Sequence, residues 1–279
     1  MTKPPPILDT CRELIDKQIP NLFRLYLNPY VAQACVCLEA ILKQTWSSSY
    51  TAEERLPTYL GNAFEEVLSG ACKLARYETE CRGTSQRGLI LDPAGRLKYF
   101  ESISIGENQI TLIPDIVVLS GPDVGEQVKQ LADQNFGFVV ILPEALPDQS
   151  VWESALANRL QIVCLDRDLW LDSDRDAKWR TGLSPDVVVF DESFVNQDVP
   201  FSAMTARSDV YGRWMQPGTS TFHSTTYQPN SISTLHLVNS LTAACPDFIA
   251  GIQSALDQAR RDLAFRSDTF AALFSPSLR

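Results

Sequence analysis

Five short apolar runs constrain this chain more than any other feature. RGLILD, PDIVVLS, FGFVVILP, LQIVCLD and PDVVVFD follow one another between Arg87 and Asp191. A strand that is apolar at every position is covered on both faces, which is the pattern of parallel sheets and not of antiparallel sheets with one wet side. Between some of these runs, GEQVKQLADQ and QSVWESALANR carry apolar residues at helical spacing and read as helices. Alternation of this kind predicts an α/β fold, a three-layer αβα arrangement with a mainly parallel sheet. In open parallel sheets ligands bind beyond the carboxyl ends of the strands, so the loops after Asp92, Pro143, Asp166 and Asp191 are the ones to read for chemistry.

The flanks are helical. ILDTCRELIDKQI, NPYVAQACVCLEAILKQTW and NAFEEVLSGACKLARYE precede the strands, and SISTLHLVNSLTAA and PDFIAGIQSALDQARRDLA close the chain after a polar loop, RWMQPGTSTFHSTTYQPNS. We expect a helical segment over residues 1–60 and one compact unit over 61–279, a chain long enough to bury a large core. With 24 Lys plus Arg against 34 Asp plus Glu, the net charge is -10. Without a basic run to neutralise phosphates, nucleic acid is excluded as a partner. No stretch approaches the roughly 20 apolar residues of a membrane span, and the start lacks an apolar leader core, so a cytoplasmic location is expected. The 7 Cys are scattered and mostly apolar in context, as buried thiols in a reducing compartment are. Cys35 and Cys37 point in different directions on a helix, and with 2 His in the chain no zinc site is expected.

SPDVVVFDESFVNQDVPFSAMTARSDVY resembles a segment of the class III aminotransferases, pyridoxal-phosphate enzymes of fold type I. Their pattern there is SPD-[apolar]4-GKG-LGGG-[VY]P-[IL]SA-[apolar]2-[AG]R. The resemblance is colinear from LNPYVAQAC to the end of the chain, and it implies the large, cofactor-binding domain of fold type I transferases. It also places Glu192 on the lysine that forms the Schiff base. A carboxylate cannot condense with an aldehyde in any protonation state. The family's glycines at that turn are replaced by Ser193, Phe194, Val195, Asn196 and Gln197, whose Cβ atoms narrow the backbone conformations open to them.

Other positions carry the comparison further. The family's Ser-Gly-x-Glu-Ala phosphate cup opens a helix ending in KLAR, and the resemblance puts Ala63, Phe64 and Glu65 at the cup. A carboxylate there opposes a phosphate dianion. PAGRLKYF has no counterpart to the aromatic-His-Gly that stacks on the pyridine ring. LQIVCLDRDLW resembles the strand whose aspartate pairs with the pyridinium nitrogen, which falls on Asp166; a strand-end aspartate capping the following turn is the alternative. FHSTTYQPNS resembles the HG[ST]TFGGNP loop, with Thr226 on the threonine that reaches the partner subunit's phosphate. The chain stops at AALFSPSLR, where the family continues into a small C-terminal domain, so a degenerate member without that domain is expected.

Other motifs give less. His223 beside Ser224, Thr225 and Thr226 has no spacing that orients it as a base. DRDLWLDSDRD lacks the central Gly and terminal Glu of a calcium loop, and GPDVG lacks the Lys and Ser/Thr of a phosphate loop. The resemblance with its losses implies a pseudoenzyme: a homodimeric scaffold, or a regulatory or partner subunit, with no covalently held cofactor. The alternatives are an enzyme that reuses the old crevice, binding pyridoxal phosphate non-covalently or another small ligand through Glu192, Asp166, His223 and Thr226, or one half of a split aminotransferase.

Overall fold

The apolar runs become strands for the reason the sequence gives them: four of the five are buried on both sides, and IVVLS is half-buried at the edge of the sheet. The computed structural model describes residues 7–17, 29–97, 102–105, 108–111, 115–131, 134–156, 158–172, 177–214 and 230–274. The chain begins with α1 (Ile7–Asp16), α2 (Pro29–Thr45), β1 (Thr58–Gly61), α3 (Phe64–Cys81) and β2 (Gly88–Asp92). An antiparallel pair, β3 (Ser102–Ile105) and β4 (Asn108–Thr111), comes next. Then follow β5 (Ile116–Ser120), α4 (Val124–Gln130), β6 (Phe138–Ile141), α5 (Gln149–Trp152) and β7 (Leu160–Leu165). The short α6 (Arg167–Leu171) and α7 (Lys178–Gly182) lead to β8 (Val187–Phe190), β9 (Ser202–Ala206) and α8 (Ser208–Tyr211). Two helices, α9 (Ser231–Ala244) and α10 (Pro246–Phe274), end the described chain.

These elements form two compact units that do not follow chain order. The larger comprises residues 42–191 and 202–224, and the smaller comprises 1–41, 192–201 and 225–279. In the larger unit seven strands run in the order β1-β9-β8-β7-β6-β2-β5. β5, β2, β6, β7 and β8 are parallel neighbours, while β9 and β1 are added antiparallel. With helices on both sides, this is the expected three-layer αβα fold. One sheet face, including Ile90, Val140, Ile162, Val189 and Met204, packs against Val67, Leu68, Ala71 and Leu74 of α3. Each of those Val and Leu side chains contributes roughly 1.5–3 kcal/mol by leaving water. The alternate residues Leu89, Val139, Val163 and Val188 are buried as well, which accounts for the unbroken apolar runs.

Strand order fixes where a site belongs. From β2 the chain passes to β5 on one side, and from β6 it passes to β7 on the other. The strand order therefore reverses between β2 and β6, and in open α/β sheets the crevice for a ligand lies outside the carboxyl ends at such a reversal. The start of β6 is held close to its neighbours by Gly137, where a Cβ would lie 1.7 Å from the Ser85 carbonyl oxygen.

In the smaller unit, α9 begins with a strong cap. The Asn230 side chain accepts from the backbone N–H of Ile232 at 3.0 Å and of Ser233 at 3.4 Å. Leu235 of α9 packs with Leu14 of α1 and Tyr30 of α2. Among the described residues, no helix is long and apolar enough to cross a membrane.

Candidate functional site

The crevice is built by the turns that leave β2, β6 and β8. Asp92, the last residue of β2, is fully buried, and its carboxylate accepts from the N–H of Arg96 at 2.9 Å and of Leu97 at 2.8 Å. Gly95 takes φ 67° in this turn, a conformation that glycine adopts without strain. The turn thereby fixes the base of the Arg96 side chain. Its Nη1 donates to Glu144 Oε1 at 3.3 Å and its Nη2 to Asp191 Oδ2 at 3.4 Å. Glu144 lies in the 3-10 turn after β6 and Asp191 directly after β8. The guanidinium carbon stands 5.0 Å from the centre of the Phe64 ring, within cation–π range. Burial opposes the charge on Arg96, but the carboxylates of Glu144 and Asp191 outweigh it and hold the guanidinium pKa above its usual value.

Asp166 follows β7 and caps α6, accepting from Leu169 N–H at 2.7 Å. Burial raises its pKa, the capping bond works the other way, and the charges of Asp191, Asp168 and Glu144 add to the rise. The crevice thus gathers several carboxylates around the Arg96 guanidinium. The buried thiols are poor nucleophiles. Burial pushes Cys164 and Cys72 in this unit well above the ordinary thiol value, and burial likewise pushes Cys37 in the other unit up to about 12.

The start of α3 has no side-chain cap. Its N-cap is Ala63; Phe64 is buried and Glu65 exposed. Glu66 reaches back so that Oε2 accepts from Asn62 N–H at 3.3 Å, while Oε1 accepts from Tyr59 Oη at 3.4 Å. The contact lies one residue before the N-cap, so it ties down the approach to the helix and is not a capping box. Beside it, Asn62 Oδ1 is buried without a hydrogen-bond partner. An orphan acceptor calls for a donor, and a phosphate dianion has none to give. With a carboxylate on the helix start and an aromatic ring under Arg96, these residues do not fit the phosphate of a pyridoxal cofactor.

In the smaller unit, Glu192 opens a 3-10 turn, Glu192–Val195. Asn196 and Gln197 follow at φ 55° and 60°, the left-handed region that L residues with a Cβ occupy at some cost. The turn is closed by Gln197 N–H to the Glu192 carbonyl at 2.9 Å and Asn196 N–H to the Ser193 carbonyl at 3.0 Å. Glu192, Gln197, Asp198, Val199 and Pro200 line a shallow concavity. Behind Asp198 sits His236, fully buried, with Nε2 at 3.0 Å from Asp198 Oδ2 and Nδ1 at 3.0 Å from Thr10 Oγ1. Since the carboxylate can only accept, Nε2 bears a proton, and Nδ1 faces the Thr10 hydroxyl. Asn239 Nδ2 donates to Thr10 Oγ1 at 3.3 Å. Thr10 is itself fully buried, so this Asp–His–Thr chain has the connectivity of a triad without an accessible nucleophile.

Of the expected residues, Ala63, Phe64 and Glu65 stand at the start of α3 and Asp166 at the end of β7. Glu192 stands in the turn after β8, and Thr226 and His223 lie outside the described residues. Sequence reasoning missed Arg96 and Glu144; the signal was available, since both lie in the loops it had marked after Asp92 and Pro143. It also missed His236, whose polar ring in the apolar run LHLV was the clue. Among the described residues, no three His, Cys, Asp or Glu side chains form a metal-binding group.

No protein-family model matches the chain, and no curated protein matches it in sequence. Solved structures do match. An (S)-enantioselective omega-transaminase from Thermomicrobium roseum superposes with a TM-score of 0.58 at 14% identity, over 88% of this chain and 61% of its own. Ornithine aminotransferase from Toxoplasma gondii gives 0.57 at 19% identity, over 95% and 62%. Taurine:2-oxoglutarate aminotransferase from Bifidobacterium kashiwanohense, solved with pyridoxal phosphate and glutamate, gives 0.59 at 13% identity, over 88% and 61%. The chain therefore spans about three fifths of the length of these enzymes. Its fold is that of the aminotransferases with which it superposes.

Proposed function

We propose that the chain is a catalytically degenerate class III aminotransferase-like protein, a dimeric scaffold or a regulatory or partner subunit that forms no Schiff base. The observation that carries this reading is the acidic pair Asp191–Glu192 directly after β8, where the resembling pattern has its lysine. Neither carboxyl group can form an imine, and Asp191 is engaged by Arg96. The residues directly after β2, β6 and β7 are Pro93, Leu142 and Asp166, none of which carries a side-chain amine. For the partner role, the support is Leu8 and Ile15, 64% and 73% exposed and seven residues apart on one face of α1, where apolar surface suits a second chain.

The test is to add pyridoxal phosphate, record the visible spectrum, reduce with borohydride and weigh the protein. The expected result is an unchanged mass. A lysine-linked adduct within the strand-end turns would overturn the reading, and a spectral change that dialysis reverses would favour non-covalent use of the cofactor. Light scattering on the eluting protein tests the partner role; a clean monomer that recruits no other chain contradicts it.

A further inference from the structure

We propose that Arg96 is an internal plug, a tethered cation that occupies the reversal point of the sheet and closes the crevice to anionic cofactors. The inference rests on the non-catalytic reading and gives it a physical cause. The two turns that flank the reversal point are those leaving β2 and β6, and they supply Arg96 and Glu144, which are paired across it at 3.3 Å. A third turn, after β8, supplies Asp191 at 3.4 Å. The plug is built in from below. Asp92, fully buried, takes two backbone amides of the turn that carries Arg96, and Phe64, 3% exposed, presents its ring to the guanidinium.

Arginine in such a place would ordinarily invite a phosphate or carboxylate ligand. Here two ends of its fork are already on carboxylates. An incoming dianion would have to displace Glu144 and Asp191 and then remain beside them and Asp166, at a helix start where Glu66 is already bound to backbone. Like charges in a partly dry crevice repel strongly, so the arrangement favours the tethered cation over any diffusible anion. The Arg96 side chain is 32% exposed, which leaves it visible to solvent but held at both ends.

The experiment is thermal unfolding of the whole chain, alone and with pyridoxal phosphate or inorganic phosphate at about 1 mM, for the natural protein, Arg96→Ala and Glu144→Gln. The expected results are no shift with either anion for the natural protein, and a loss of about 3–6 °C for Arg96→Ala, the range for one to two lost charged contacts in a chain of this size. Glu144→Gln, which keeps the size of the side chain and the core intact, should show a smaller loss and keeps the test alive if Arg96→Ala does not fold. Two results overturn the plug. One is stabilisation of the natural protein by either anion that disappears in Arg96→Ala, which makes Arg96 a ligand contact. The other is unchanged melting in both variants. Reversible anion binding without a reduced adduct sinks the plug and leaves the non-catalytic reading standing, whereas the adduct sinks that reading.

Discussion

The start of α3 and the turn after β8 both depart from the residues that the aminotransferase pattern places there, yet they accommodate the departure in opposite ways. At α3 the new residues are relaxed and embedded. Phe64 packs in the main core, and Glu66 binds the backbone of Asn62 just before the helix. At the turn, Asn196 and Gln197 adopt a left-handed backbone at positions that the pattern fills with glycine. The first region has absorbed its substitutions into packing, so reverting them breaks something. The second holds a left-handed backbone with side chains that suit it less well than glycine, so placing glycine there relieves something.

Restoring a hydroxyl at the helix start should have the largest effect. Phe64→Ser removes a buried ring that also supports Arg96, and should cost about 3 kcal/mol in urea unfolding; a loss below about 1 kcal/mol would show that the region is not embedded. Glu66→Ala should cost about 1 kcal/mol by freeing the backbone of Asn62, measured in the same way. At the turn the sign reverses. Gln197→Gly should gain about 0.5 kcal/mol, the relief of the left-handed backbone less the extra chain entropy of glycine, and a loss of stability would end the contrast. Asn196→Gly should be close to neutral, because asparagine tolerates this backbone and its side chain donates to Ser240 Oγ at 3.1 Å.

The smallest effect tests the cluster of carboxylates in the crevice. The folded-state pKa of Asp166 is raised, first by burial and then by Asp191, Asp168 and Glu144. A group raised in the fold holds its proton more tightly there, so its contribution is most favourable below the unfolded value of about 3.9 and is lost as pH rises through the folded value. Asp166→Asn keeps the cap on Leu169 without the charge. It should therefore gain on the natural protein as pH rises from acid to neutral, and the gain should vanish at low pH; a gain independent of pH would point to packing instead of charge.

Much of the fold was legible because burial on both faces writes a signature that needs no partner strand to read. β2, β5, β6, β7 and β8 coincide with the five apolar runs. Strand β1, TYLG, escaped notice because it lies at the edge of the sheet, short and only partly buried. QSVWESALANR carried helical spacing but forms only α5 and a 3-10 turn, Glu153–Ala155. Asn158 follows shortly with φ 59°, a conformation that cannot continue a helix. The crevice was legible as a location and not as a set of contacts. Arg96 lies only four residues beyond β2, yet its pairing with Glu144 and Asp191 joins positions 48 and 95 residues away, which no local pattern encodes. His236 was illegible for the same reason, its partners being 38 and 226 residues away.

The double engagement of His236 has a spectroscopic consequence. With Nε2 held against a carboxylate, a neutral ring is confined to a single tautomer, so its two nitrogens should then give widely separated resonances in place of an averaged pair. The Thr10 hydroxyl proton, sealed from water beside Nδ1, should exchange slowly enough to be seen as a line of its own. That line would report directly on whether α1 is seated, residue by residue and without any ligand.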